Sequence, residues 1–206
     1  TMRKAVEEKN TGLAMRTAAF SRNINSNPEA GERSYKRTLM SYYRQVKDTT
    51  AYFESAVAFY TRYYMNISID SIKQSDSISR NRQLQQAALR DTVKDGRPVQ
   101  VRAITFAPNT QRYTNELNEA AWNFYTMTDN VYLLSIAASW VERGLQFYES
   151  PEALHTYASL LYKLGQPQKA IDSLQRSIAI RKERHHSTNE YEALLQKMKS
   201  GAPLTK

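Results

Sequence analysis

Residues 150–182 read SPEALHTYASLLYKLGQPQKAIDSLQRSIAIRK, and this stretch decides the fold class. Apolar residues recur every three or four positions on both sides of a short break, as on two amphipathic helices. They are Leu154, Tyr157, Leu161 and Leu164 before the break, and Ala170, Ile171, Leu174, Ile178 and Ala179 after it. Gly165 suits the left-handed position that commonly ends a helix, and Pro167 suits the first turn of the next. The stretch therefore predicts a helical hairpin.

The hairpin resembles one tetratricopeptide repeat (TPR), a helix–turn–helix unit of about 34 residues with small residues where its helices cross. With Pro151 as the first position, Ala158 and Ala170 take the small-residue positions of the two helices. Tyr162-Lys163-Leu164-Gly165 fits the end of the first helix. Four positions depart from the pattern, namely Leu154, Tyr157, Ser177 and Lys182, where Trp, Leu, Ala and Pro are usual. The alternative is an ordinary helical hairpin, which less often combines the glycine with both small residues.

Helices are also predicted on either side of this hairpin. Before it, the pattern predicts helices over 110–127 and 131–150, the second of them capped by Asp129. Ala137 and Gly144 in the second helix occupy the small-residue positions of a degenerate earlier repeat. After it, Ser187-Thr188-Asn189-Glu190 predicts a capping box before a last helix at Tyr191–Lys199. Such a helix covers the exposed apolar end of a repeat stack.

The first half predicts helices over 2–23, 35–46 and 51–65, separated by a break at 23–32 and by an N-cap at Asp48. The last of these helices is the most aromatic part of the chain. Tyrosines beside arginines suit base stacking, but aromatic residues at helical spacing more often form a core.

The boundary between the two halves of the chain is expected C-terminal to this aromatic region. Residues 66–82 suit either a thin amphipathic helix or a connector, and 82–94 suit a helix ended by Asp95-Gly96-Arg97-Pro98. Residues 98–108 suit an extended crossover or an irregular helical link. The sequence thus predicts an all-α protein of about eight or nine helices, stacked as hairpins in an α–α superhelix that is TPR-like in its C-terminal half. It divides into a basic region at 1–113 and a TPR-like region with a capping helix at 114–206.

Charge distinguishes the halves. Residues 1–113 carry the whole net charge of +9, and residues 114–206 are neutral. A basic half suits nucleic acid, an acidic protein or an anionic surface. Because its charges are scattered rather than in blocks, a solvated helix exterior is the simpler interpretation, and a nucleic-acid partner is disfavoured.

Composition excludes several kinds of chemistry. The chain has no Cys, so disulfides and thiolate sites are excluded, and its 6 Gly are dispersed rather than gathered in a phosphate-binding loop. His185 and His186 are adjacent in a linker and are expected to point apart, which argues against a metal site. No apolar run is long enough for a transmembrane helix. We therefore expect no enzyme activity, cofactor or metal, and no membrane span.

A broader resemblance covers Asn115–Gly201. Its order of segments resembles the C-terminal helical part of bacterial thioredoxin-like proteins. The segments are ELNEAAWNFY, then a helix with small residues and Trp, and then TYASLLYKLG with the helix that follows it. In that family a redox domain with a Cys-x-x-Cys motif comes first. The chain begins with Thr1 and has no leader, so we expect it to be processed or part of a longer polypeptide. The resemblance implies a scaffolding role beside a thioredoxin-like domain in the same chain and a periplasmic location.

TPR alignment also predicts a binding groove. In such repeats the first helix of each pair lines a concave surface. On this alignment the surface comprises Glu152, His155, Ser159 and Tyr162, joined by Trp122 with Glu119 and Thr126 from the preceding pair. The opposing interpretation is that neighbouring helices fill the groove.

The sequence thus favours a non-catalytic domain that binds a protein or peptide, or that scaffolds a thioredoxin-like domain. The alternative is binding of nucleic acid or an anionic surface by the basic half, and a third hypothesis is an enzyme with an unrecognised site. The partner and the oligomeric state are not predicted.

Overall fold

The computed structural model describes residues 1–90 and 108–204. Within these two ranges every regular element is helical, which confirms the all-α class. The helices are α1 (Met2–Glu7), α2 (Thr11–Asn23), α3 (Pro28–Gln45), α4 (Thr49–Tyr60), α5 (Ile69–Arg90), α6 (Asn109–Met127), α7 (Val131–Phe147), α8 (Pro151–Lys163), α9 (Pro167–Glu183) and α10 (Asn189–Lys199). One π-helical turn, Thr61–Met65, directly continues α4.

The helices pack mainly against their neighbours in the chain. Contacts join α1 to α2, α2 to α3 and α3 to α4, and then each successive pair from α5 to α10. The α6–α7 and α8–α9 pairs have the most extensive contacts, and α6 also contacts α8. The hairpin that was predicted from residues 150–182 is therefore present, and a second hairpin precedes it.

The largest apolar core joins the two halves of the chain. Tyr60 and Tyr64, from α4 and the π-helical turn, are buried with Phe124 of α6 and Trp140 of α7. The ring centroids of Tyr60 and Trp140 lie 5.0 Å apart, and those of Phe124 and Trp140 lie 4.8 Å apart. The aromatic region of the first half is thus core, as the simpler interpretation had it. The proposed domain division at residues 113 and 114 falls inside α6.

Polar contacts reinforce this junction. The buried carboxylate of Asp76 on α5 accepts hydrogen bonds from the backbone N–H groups of Asn109 and Thr110, at 2.7 and 2.9 Å. It therefore caps α6 across the intervening chain, because those donors have no partner within the helix. Arg143 of α7 donates to the carbonyl oxygen of Ile67 at 2.5 Å. These contacts hold α5 against the second half.

The helix crossings use the small residues that the repeat pattern indicated. Ala158 and Ala170 are fully buried in the α8–α9 pair. There the hydroxyl of Ser177 donates to the carbonyl oxygen of Pro151 at 2.6 Å. Ala137 and Gly144 of α7 are likewise buried, and the hydroxyl of Thr114 donates to the carbonyl oxygen of Gly144 at 2.6 Å. Ser173 of α9 also donates to the carbonyl oxygen of Leu154 at 3.0 Å, so hydroxyl groups that bond to the opposite backbone hold both pairs together.

Two predictions in the first half are corrected. The helix predicted over 2–23 is two helices, because Lys9 adopts a left-handed φ of 48° and ends α1, and the Asn10 side chain caps α2. The break predicted at 23–32 is shorter, since Asn27 caps α3 at its Pro28 start. Of the two alternatives for residues 66–82, the helix is confirmed, since α5 begins at Ile69 and continues to Arg90. The N-cap at Asp48 is confirmed, with its carboxylate accepting from the Ala51 N–H at 3.1 Å.

Three predictions in the second half are also wrong. Asn130, and not Asp129, caps α7 by accepting from the Leu133 N–H at 3.2 Å. The capping box at 187–190 does not form, since Thr188 is the N-cap residue and instead hydrogen-bonds the carboxylate of Glu192 at 3.1 Å. Ala179 is exposed, and Ile180 is the buried residue there. The predicted helix end at 95–98 and the extended link at 98–107 lie outside the described residues.

The close approach of α2 and α3 depends on Gly31. A Cβ atom at this position would lie 2.6 Å from the carbonyl oxygen of Arg22, whereas one at Gly12 would lie no closer than 3.5 Å to any neighbour. We therefore expect Gly31→Ala to lower the free energy of unfolding by about 1–3 kcal/mol, because the backbones must separate.

Gly12→Ala is the matched control. It should be neutral or stabilising, by up to about 1 kcal/mol, because alanine favours the helix. Urea unfolding of both variants measures the difference. A Gly31→Ala protein as stable as Gly12→Ala would show that the helices do not approach as closely as described.

Candidate binding surfaces

Residues from three helices surround one cavity in the second half, which we call the α8 groove. Its walls are Trp122, Tyr125 and Thr126 of α6, His155 and Ser159 of α8, Leu194 and Lys197 of α10, and Leu204 of the C-terminal segment. The cavity volume is about 200 Å³. Three of the five predicted site residues, namely Trp122, His155 and Ser159, thus lie together.

His155 lines the groove and lies between two aromatic rings. Its ring centroid is 5.8 Å from that of Trp122 and 4.9 Å from that of Tyr191. Burial lowers the pKa of His155 below its ordinary value of 6.5, and nearby Arg181 acts in the same direction. The imidazole is therefore a neutral, partly polar surface at pH 7, suited to contact with an apolar or hydrogen-bonding group.

Neither Glu152 nor Tyr162 lines this cavity, and Tyr162 instead lines a separate one with Pro167 and Met198. Glu152 forms an ion pair with Arg181 at 3.3 Å, and the Arg181 guanidinium lies 4.4 Å from the ring centroid of Tyr191. The hydroxyl of Tyr162 donates to the carbonyl oxygen of Ala202 at 3.0 Å. Glu152 is therefore engaged within the fold, and Tyr162 holds the C-terminal segment.

The other predicted groove residues differ in their exposure and in their contacts. Trp122 is 38% exposed and stacks on Tyr125, with ring centroids 4.9 Å apart. Ser159 is buried, and its hydroxyl donates to the carbonyl oxygen of His155 at 3.0 Å. Thr126 lines the cavity, but Glu119 lies in another concavity, formed with α3. Trp122 thus offers the most accessible apolar surface of the groove.

A second concavity lies between α3 and α6, and sequence reasoning did not find it. We call it the arginine cleft, and it is lined by Arg33, Arg37, Arg112, Tyr64, Tyr113 and Glu116 around a cavity of about 410 Å³. A smaller cavity of about 170 Å³ extends it past Arg37 and Glu116 toward Arg44, Glu119 and Asn123.

One ion pair crosses the cleft. Two guanidinium nitrogens of Arg37 donate to the two carboxylate oxygens of Glu116, at 2.6 and 2.8 Å. The hydroxyl of Tyr64 donates to the same carboxylate at 2.8 Å and accepts from Arg37 at 2.9 Å. Burial, with the adjacent Glu116 charge, raises the pKa of Tyr64. Tyr64 therefore stays protonated and fixes the pair.

The π-helical turn places Tyr64 at this position. Such turns are rare and are frequent at functional sites, because the extra residue in the turn redirects the side chains that follow. Arg33 lies over the Tyr64 ring, with its guanidinium carbon 4.9 Å from the ring centroid. The sequence did carry a signal for the cleft, since Arg33, Arg37 and Arg44 share one helical face. It did not show that α6 lies opposite.

Across 1–90 and 108–204, no three His, Asp or Glu side chains converge in a way that could hold a metal ion. His185 and His186 are exposed, and His185 takes a left-handed φ of 57° at the end of α9.

Known proteins give no further guide to this chain. It matches no model of a known protein family, no curated protein and no solved structure. Of the helices in the described part, none has the length and apolar character that a membrane crossing requires. The two concavities are therefore the features of the molecule from which a function is inferred.

Burial of His155 predicts a pH dependence of stability. Below pH 6.5 the unfolded chain takes up a proton on this residue that the folded chain resists, so unfolding is favoured as the pH falls. We expect the free energy of unfolding to fall less between about pH 7.5 and 5.5 in His155→Gln than in the wild type.

Urea unfolding at both pH values measures this difference, and the titration of carboxylates cancels because both proteins share it. The exposed His186→Gln variant is the control and should follow the wild type. Equal pH dependence in all three proteins would contradict the burial of His155.

Proposed function

We propose that the chain is a non-catalytic binding module, in which TPR-like helical hairpins present the α8 groove to a peptide segment of a protein partner. One observation carries the proposal. The chain's own C-terminal segment already lies against the groove in non-helical conformation, with Leu204 on the cavity wall and the Ala202 carbonyl bonded to Tyr162. A non-helical segment that places one apolar side chain on the cavity wall, with a backbone carbonyl bonded outside the cavity by Tyr162, is thus a geometry that the groove accommodates.

The arrangement of the helices supports the TPR-like part of the proposal. The first helices of the two hairpins, α6 and α8, contact each other, and each contributes aromatic or polar side chains to the same groove. Leu195 and Met198 of α10 are buried against the α8–α9 hairpin, as expected of a helix that covers the end of a repeat stack.

Scaffolding in a longer thioredoxin-like polypeptide is part of the same proposal. The resemblance of residues 115–201 to the helical part of thioredoxin-like proteins supports it, and the groove is a surface on which such a domain, or its substrate, would be placed. The nucleic-acid alternative has less support. The tyrosines that would stack on bases, including Tyr60 and Tyr64, are buried in the core.

Peptides selected from a random displayed library against the wild-type chain provide the test. We expect Trp122→Ala to weaken the selected peptides at least about tenfold, because the variant removes the accessible apolar wall of the groove. Tyr162→Phe should strengthen them several-fold. It keeps the ring but loses the hydrogen bond to Ala202, a net interaction worth about 1 kcal/mol, and so loosens the competing C-terminal segment.

Tyr132→Ala is the matched control, because Tyr132 is an exposed aromatic residue of α7 outside the groove. Isothermal titration calorimetry measures the affinities, and circular dichroism verifies the fold of each variant. Selected peptides that bind Trp122→Ala and Tyr162→Phe as they bind the wild type would refute the groove proposal.

A further inference from the structure

The arginine cleft carries an excess of positive charge that the fold does not neutralise. Glu116 is engaged by Arg37 and Tyr64. Among the residues that the structure describes, no carboxylate lies within ion-pair distance of Arg33 or Arg112, although both line the larger cavity. An anionic group that enters this cavity would therefore meet two guanidinium groups without acidic partners.

Arg33 is held in position for such a contact. Its guanidinium lies over the rings of Tyr63 and Tyr64, with the guanidinium carbon 5.5 and 4.9 Å from the two centroids. Stacking on aromatic rings fixes the plane of a guanidinium and leaves its N–H edges for an acceptor. Arg33 thus presents a preorganised donor fork.

The cleft itself shows which anion fits. Glu116 is a carboxylate bound by both nitrogens of the Arg37 fork and by the Tyr64 hydroxyl, so carboxylate geometry is already met at its centre. Glu116 and Glu119 on the α6 wall would repel carboxylates and phosphates alike, so the match to a carboxylate rests on the guanidinium and hydroxyl donors.

The shape of the cleft favours a chain segment over a small anion. Arg33, Arg37 and Arg44 lie on one face of α3, and the rise of 1.5 Å per residue places the first and last about 16 Å apart. Two adjoining cavities follow this face. An extended peptide of about five residues spans the same length.

We propose that the arginine cleft binds an acidic peptide segment of a protein partner, with a carboxylate of that segment held by Arg33 and Arg112. This second site is separate from the α8 groove, because the cleft is formed with α3 and the groove with α8 and α10. The proposal gives the basic half of the chain a role in recognition that does not require nucleic acid.

Fluorescence anisotropy tests the proposal with three fluorescein-labelled probes: six glutamates flanked by glycines, the same peptide with glutamines, and a six-residue oligothymidine. We expect the glutamate peptide to bind with a Kd below about 1 mM and the glutamine peptide at least about tenfold more weakly. Arg33→Gln/Arg112→Gln should weaken the glutamate peptide about tenfold, because both free guanidinium groups are lost.

Arg16→Gln/Arg82→Gln is the matched control, because it removes the same charge from exposed positions outside the cleft. It should leave the affinity nearly unchanged, and circular dichroism with urea unfolding verifies both folds. If both double variants lost the same affinity for the glutamate peptide, the effect would be one of overall charge, and the proposal would be overturned. Binding of the oligothymidine in preference to the glutamate peptide, or no binding of that peptide, would also overturn it. Groove variants such as Trp122→Ala leave the cleft intact, so the two sites are tested independently.

Discussion

The contact between Tyr60 and Trp140, with ring centroids 5.0 Å apart, is the constraint on which the rest of the structure depends. It brings together two residues from opposite halves of the chain, and Phe124 packs against the same indole at 4.8 Å. Aromatic side chains bury large areas and prefer such tilted contacts, so a few of them can fix the relative placement of whole hairpins. Because this core places α4 against α6 and α7, it also determines which face of α3 lies opposite α6.

The two concavities follow from that placement in different ways. In the arginine cleft the π-helical turn places the buried rings of Tyr63 and Tyr64 against Arg33 of α3. The hydroxyl of Tyr64 there hydrogen-bonds both Arg37 and Glu116. The α8 groove instead depends on the packing of α6 against α8 and on the covering helix α10. Since α6 contributes Glu116 to the cleft and Trp122 to the groove, it is the one helix that both surfaces share.

Sequence reasoning succeeded where one residue type marks one backbone conformation. Gly165 has the left-handed φ of 72° that was expected of it, and Pro167 and Asp48 begin helices as expected. It failed where an ordinary residue takes the same role: Lys9, Lys47 and His185 all adopt positive φ at helix ends, and no local signal distinguishes them. The α8 groove was partly predictable because repeat spacing places residues on one face. The arginine cleft was not, because its walls are helices far apart in sequence that only the aromatic core brings together.

The energetics of the C-terminal segment decide whether the groove can accept a partner. Its hydrogen bond to Tyr162 contributes about 1 kcal/mol net, and partial burial of Leu204 adds about as much again. Fixing each backbone residue costs about 1–2 kcal/mol, so ordering residues 202–204 offsets both contributions and the segment is held only weakly. With this segment in place Trp122 is still 38% exposed, so a peptide that contacts more of α6 and α8 gains apolar burial that residues 202–204 do not. The occupied groove is therefore compatible with exchange, in which a partner peptide displaces a weak internal competitor.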